Sequence, residues 1–213
     1  YYRWKSAGLD PDNPPISVCG HLVTHHDDTK VVVSTYCKLV SNDRILFFQG
    51  TSYEVYDDGS LKVSTEITPT KCLHRLLSLP RVGYSLNLRS NMQNVLYLGL
   101  GPSENYIDRK TSSDQGVFHI HSDEMINSPY IVPGEYGNRC GCRWISVRNE
   151  EGDGMVIVDD SANSSEGLNF SISFHSQQNL QQATHTCDLH KTVNKSLYLN
   201  LDYFLMGVGG DVG

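Results

Sequence analysis

The chain has 213 residues, the size of one ordinary domain with a buried core. It sets 17 Lys and Arg against 24 Asp and Glu, net −7, with the basic residues scattered, so there is no electrostatic footprint for nucleic acid. Its longest apolar runs, such as Ile45 to Phe48, fall far short of the roughly 20 residues of a membrane-spanning helix. Val, Ile and Thr number 18, 10 and 11 against three alanines, the composition of an all-β chain.

The opening Tyr1-Tyr2-Arg3-Trp4 has no Met and no apolar leader, and is read as a cut through a larger protein. Val31 to Val40 predicts a strand, Ser41-Asn42-Asp43 a turn, and Ile45 to Phe48 the next strand. Ser52 to Ile67 then alternates around Asp57-Asp58-Gly59, the signature of a tight hairpin. Its second arm places Leu61, Val63, Thr65 and Ile67 on one face and Lys62, Ser64 and Glu66 on the other, as in a sheet wet on one side. Further strands are expected at Val82 to Leu88 and Val95 to Leu100, the latter running into a long polar loop from Gly101 to Ser113. Cys142 to Val147, Met155 to Val158, Phe170 to Phe174 and Leu197 to Leu201 complete the set, with Glu150 to Gly154 as a turn. One short helix is expected over Ser176 to Thr184, capped by Ser176, with Leu180 and Ala183 facing inward.

Cys19, Cys37, Cys72, Cys140, Cys142 and Cys187 are too sparse to replace a core with disulfides, and their pairing is left open. Cys140-Gly141-Cys142 lacks the second pair of a zinc finger, and His119 with His121 supplies two ligands where three are needed. Sequons at Asn163, Asn169 and Asn194 do not decide a compartment.

Acid–base chemistry on a sugar needs two carboxylates, or a carboxylate and a histidine, facing one cleft. Glu104, Asp108, Asp123, Glu124, Glu135, His119, His121, His185 and His190 stand near the expected loops, and each reads first as a solvated loop group. The densest segment is Gly99 to Lys110, where Glu104, Asn105, Tyr106, Asp108 and Arg109 bring together the donor and acceptor types that hold sugar hydroxyls. The glycines of Met206 to Asp211 are not followed by a helix and support no nucleotide loop.

Four motifs in order carry a resemblance: Leu98-Gly99-Leu100-Gly101-Pro102-Ser103-Glu104-Asn105-Tyr106 with Asp108-Arg109; Ser128 to Pro133 with Gly137-Asn138-Arg139; Ala183-Thr184-His185; and Leu199-Asn200-Leu201-Asp202 with Met206-Gly207-Val208-Gly209-Gly210-Asp211. With Tyr2 to Leu9 they resemble the C-terminal domain of glycoside hydrolase family 2 β-galactosidases over nearly the whole chain, most weakly from Cys19 to Leu79. That implies a large antiparallel β-sandwich (a supersandwich) of the galactose-mutarotase-like class, one domain over residues 1–213, truncated at both ends relative to the family's domain. It implies that both catalytic glutamates lie in an absent barrel domain or large subunit, so that this chain alone hydrolyses nothing. The substrates implied are galactosides such as lactose, the complete enzyme is oligomeric, and its Mg2+ and Na+ are given no ligand here. The compartment is left open, with the cytoplasm favoured by the resemblance.

By the same resemblance the loop of Gly101, Pro102, Asp108 and Arg109 lies at the active-site mouth, with Asp108-Arg109 as an ion pair shaping it. Tyr198 stands where better-known members carry a tryptophan that stacks on the sugar, so stacking survives with less area. Tyr198, Glu104 and Asn105 are the candidate substrate contacts, though Glu104 and Asn105 suit equally the fastening of the loop. Because the chain stops at Gly213, an unpaired sheet edge is expected. The rival readings are a stand-alone galactose-binding module, and a mutarotase using His185 with a glutamate.

Overall fold

A computed structural model describes residues 2–10, 12–126, 132–134, 136–160, 166–189 and 196–206. The fold is all-β, with three four-stranded antiparallel sheets and a few short helices. It falls into two compact units, Tyr1–Leu79 and Pro80–Gly213. No helix among the described residues is long and apolar enough to cross a membrane.

The first unit begins with helix α1 (Tyr2–Ser6) and continues as a meander of β1 (Ile16–His26), β2 (Lys30–Ser41), β3 (Arg44–Tyr56) and β4 (Leu61–Pro69), each strand paired with the next. Asn42 and Asp43 take φ of 49° and 59° in the β2–β3 turn, and Gly59 takes φ of 84° in the β3–β4 turn. The expected hairpin is therefore present, with the Gly59 N–H donating to the Tyr56 carbonyl at 3.1 Å and the Ser60 N–H to Asp58 Oδ1 at 2.8 Å. A small core joins Leu46, Phe47 and Leu73, with Ala7, Leu9 and Leu39 against it. The Trp4 indole N–H donates to the Ser78 carbonyl at 3.0 Å and ties α1 to the end of the unit. One expectation fails here: β4 was read as wet on one face only, yet Leu61, Val63 and Ile67 are all exposed. The strand lies at the sheet edge, and its apolar face has no covering layer among the described residues.

The second unit is a sandwich of two sheets. One has the order β10-β9-β6-β7, built from β6 (Asn94–Gly101), β7 (Asp114–His121), β9 (Trp144–Arg148) and β10 (Gly154–Val158). The other has the order β5-β12-β11-β8, built from β5 (Arg81–Arg89), β8 (Arg139–Cys142), β11 (Leu168–Ser173) and β12 (Ser196–Leu205). Alternation explains the packing: Val95 and Tyr97, Ile145 and Val147, Phe170 and Ile172, and Leu197, Leu199 and Leu201 all turn into one buried core. The Tyr97 ring meets Phe170 edge-on at 5.0 Å between centroids. The expected run from Cys142 to Val147 is split: Cys142 ends β8 in one sheet, and beyond Arg143 the chain enters β9 in the other.

The helix expected over Ser176 to Thr184 is α2 (Gln177–Gln182), with Ser176 and Asn179 forming a reciprocal cap and Leu180 and Ala183 buried. Two further short helices, α1 and α3 (Thr186–Leu189), correct the expectation of a single one. All six cysteines are free thiols.

Candidate functional site

The loop leaving β6 is fastened from within. Gly101 and Pro102 are joined by a cis peptide bond. A Cβ at Gly101 would fall 2.3 Å from Tyr97 Oη and 2.8 Å from the Phe118 ring, both anchored in the core, so the position demands glycine. Asn105 is wholly buried. Its amide Nδ2 donates to the carbonyls of Leu100 at 3.1 Å and Ser103 at 2.9 Å, while Oδ1 accepts from the Cys140 N–H at 2.8 Å. The Asn105 N–H donates to the Asn138 carbonyl at 2.9 Å, and Asn138 Nδ2 returns a bond of the same length to the Asn105 carbonyl. Both donors of the Asn105 side chain are thus spent on carbonyls of the loop itself.

Glu104 bridges two segments. One carboxylate oxygen accepts from Arg109 Nη2 at 2.5 Å and the other from the Gly137 N–H at 2.6 Å. The Arg109 guanidinium also lies over the Tyr106 ring at 5.3 Å. The expected Asp108–Arg109 pair is corrected: Arg109 turns to Glu104, five residues back, and Asp108 stands exposed. The reason is the tight Tyr106–Arg109 bridge, in which each N–H donates to the other carbonyl and Arg109 folds back toward the loop's base.

Arg139, which composition and spacing did not single out, is the loop's other anchor. Only 3% exposed, it donates from Nε to the Pro102 carbonyl at 2.9 Å and from Nη1 to the Gly137 and Asn138 carbonyls at 3.2 Å each. Burial raises the Cys140 thiol pKa to about 11 and raises that of Cys142 as well. Burial also raises the Tyr97 phenol, against the opposing pull of Arg139, and raises Tyr136, where the Glu104 charge adds to the effect.

Tyr198 lies on β12, directly opposite Ser173 of β11 and Asn87 of β5. Since Leu197 and Leu199 are fully buried in the core, Tyr198, Asn200 and Asp202 take the outer face of this sheet, beside Ser173, Ser171 and Asn169. Asn200 Nδ2 donates to Ser171 Oγ at 3.2 Å. Asp202, 1% exposed, is held by Arg81, with Nε on Oδ1 at 2.6 Å and Nη2 on Oδ2 at 2.5 Å. Gly83 stands opposite Asp202, and a Cβ there would lie 2.4 Å from Asp202 Oδ1 and 2.3 Å from the Leu201 carbonyl. Tyr198 itself is half-buried, its neighbours all polar. The fastened loop closes on residues 137–140, which enter β8 of the same sheet, and only β11 separates β8 from β12, a span of about 10 Å. The structure therefore brings Gly101, Pro102, Glu104, Asn105 and Arg109 into one fastened loop, and places Tyr198 in the sheet onto which that loop closes.

Arg81 was the partner of Asp202 that sequence reasoning missed. The signal available was a lone arginine at the start of an expected strand, 121 positions from its carboxylate. His185 sits in the exposed turn before α3, its ring against Thr184 Oγ1 at 3.2 Å, and among the described residues no glutamate is bonded to it. No three His, Cys, Asp or Glu side chains among the described residues converge in a way that would hold a metal ion. Glu135, His190, residues 128–131 and the glycines at 207, 209 and 210 lie outside the described residues.

A family model described as β-galactosidase small chain matches residues 1–212. A β-galactosidase of Enterobacter cloacae is 32% identical over 209 residues, and one of Vibrio vulnificus strain YJ016 is 32% identical over 211, each covering 98% of this chain. A β-galactosidase of Photobacterium profundum is 35% identical over 162 residues, 75% of this chain. The chain spans 18% of the length of the first two relatives and 14% of the third.

Proposed function

The chain belongs to the β-galactosidase small-chain family, and from that premise we propose that it completes the active site of an enzyme cleaving terminal β-galactosyl bonds, lactose among them. On this reading the two carboxylates of a retaining mechanism come from the large catalytic region, outside this chain, and the chain supplies part of the cleft wall. Tyr198 offers its ring face to the sugar on the leaving-group side, where C–H groups pack on an aromatic plane. The loop of residues 101–109 borders the mouth of the cleft, with Glu104 holding it to Gly137 and to Arg109. Because Asn105 and Arg139 are committed to the loop's own carbonyls, their part is to hold its shape before substrate arrives, sparing that ordering cost on binding. No metal step is assigned to this chain, since its described residues offer no converging ligand set.

The observation that carries the reading is Tyr198: an aromatic ring between Ser173 and Asn87 on the outer face of a sheet whose opposite face is solid leucine core. The test mixes this chain with the large catalytic region of the same protein and assays each alone and together on a chromogenic β-galactoside. Activity is expected only in the mixture. Tyr198→Phe keeps it, and Tyr198→Ala lowers kcat/KM on lactose by roughly two- to tenfold, the range of one aromatic contact. Activity in the large region alone at the level of the mixture refutes the completing role. Tight galactose binding or anomerisation by the isolated chain puts a lectin or mutarotase in its place.

A further inference from the structure

The sheet of β10, β9, β6 and β7 turns its inner face to the core, but its outer face is graded in a way that packing does not require. Register sets three rows across it. Arg148, Asn94 and His121 form a polar row; Val156, Ser146, Leu96 and His119 a mixed one; Val158, Trp144, Leu98 and Val117 an apolar one. From Trp144 to Arg148 the strand runs about 13 Å. A cavity of about 450 Å3 opens here, within the range of small-molecule sites, and five of its eight lining residues are polar. Trp144 is half-buried with the indole at the cavity wall, while Leu96 and Val156 are exposed beside it.

The polar groups around the indole are open to a ligand. Arg148 spends Nε on Ser146 Oγ at 2.9 Å, and its terminal nitrogens make no hydrogen bond among the described residues. The side chains of Asn94, His119 and Trp144 make no hydrogen bond among the described residues. Asn149, by contrast, is committed, bonded to Glu151 at 3.0 Å and to the Asp153 N–H at 2.9 Å, and it closes one end of the cleft. A flat aromatic and aliphatic patch beside amide, imidazole and guanidinium donors, with no carboxylate lining it, matches a ligand that has one C–H face and a rim of hydroxyls.

We propose that this face is a saccharide-binding site for neutral pyranosides of one or two rings, separate from the sheet that carries Tyr198. The ring lies on Trp144, and its hydroxyls reach Asn94, Arg148 and His119. The site rests on register and side-chain chemistry; only the choice of lactose as probe rests on the family reading. The two are tested by different readouts, activity for the cleft wall and binding for this face.

The test follows the indole N–H resonances of the 15N-labelled 213-residue chain, which has two tryptophans, during titration with lactose. Trp144→Phe assigns the signal. The Trp144 resonance is expected to move with a millimolar Kd, and Tyr198→Ala leaves the titration as it was. Asn94→Ala, at a half-buried position, and Arg148→Ala, at an exposed one, each weaken it severalfold, and Trp144→Ala removes the affinity by about tenfold or more, read on the backbone amides of Ser146 and Val156. A Trp144 signal that stays still up to about 100 mM lactose overturns the proposal. So does an equal shift with mannitol, an acyclic polyol without a ring face, or a titration unaffected by both Asn94→Ala and Arg148→Ala.

Discussion

Replacing Asn105 by alanine removes the fastening of the loop at its centre. Three hydrogen bonds are lost, to the Leu100 and Ser103 carbonyls and from the Cys140 N–H, all at a side chain with no exposure. At about 1 kcal/mol net per bond this comes to about 3 kcal/mol. The Cys140 N–H is left buried without its acceptor, which carries the upper end to about 5 kcal/mol. In thermal unfolding followed by tryptophan fluorescence, such a loss lowers Tm by roughly 10 °C for a unit of this size. Asn105→Asp sharpens the test. The carboxylate still accepts from Cys140, but its second oxygen faces the Leu100 and Ser103 carbonyls where the amide donated, so this variant loses at least as much as alanine. A loss below about 1 kcal/mol for Asn105→Ala, or a wild-type Tm for Asn105→Asp, would show that the amide does not hold the loop.

Arg81→Ala leaves the Asp202 carboxylate buried without its counter-ion and should cost about 3–5 kcal/mol in urea unfolding, and the double variant Arg81→Ala with Asp202→Ala should lose less than the sum of the two single losses. Equal, additive losses would mean that the pair is not coupled. The buried Cys140 thiol gives an alkaline signature: its pKa rises from an ordinary 9.0 to about 11, so its contribution is complete below pH 9 and is lost as pH climbs to 11, about 3 kcal/mol in all. Cys140→Ala flattens the fall of stability across that window, and an unchanged slope refutes the assignment.

How much of this was legible in the sequence depended on the range of the interaction. The hairpin at Asp57-Asp58-Gly59, the cap at Ser176 and the strands around Val95 and Leu197 could be read because period-two alternation and turn chemistry act between near neighbours. β1 was missed because Gly20 and the three histidines at 21, 25 and 26 interrupt its apolar residues, and it is exposed along its whole length. The loop's composition marked it as special, but its partners could not be read. Arg109 lies next to Asp108 in sequence yet pairs with Glu104, and Glu104 and Asn105 reach residues 137 to 140, more than thirty positions on. The Arg81–Asp202 pair spans most of the second unit and leaves no local trace at either end.

One strand ties the core to the proposed cleft wall. In β12 the leucines at 197, 199 and 201 fill the sandwich while Tyr198, Asn200 and Asp202 take the opposite, polar face, so a slip of one residue would drive a phenol, an amide and a charge into the leucine core. Leucine packing alone does not fix which leucine sits in which layer, because a slip of two keeps the pattern. Asp202 removes that freedom. Its carboxylate accepts both arms of Arg81, and it sits against Gly83, which has no Cβ to obstruct it, just before the bulge that shifts the pairing. A shifted register would set a buried charge against a side chain and away from its guanidinium. The Arg81–Asp202 clamp thus ties β12 to β5 in the register that sets Tyr198 opposite Asn87, and Arg81→Lys, which keeps the charge but not the two-armed grip, should disturb Tyr198 as well as weaken the fold.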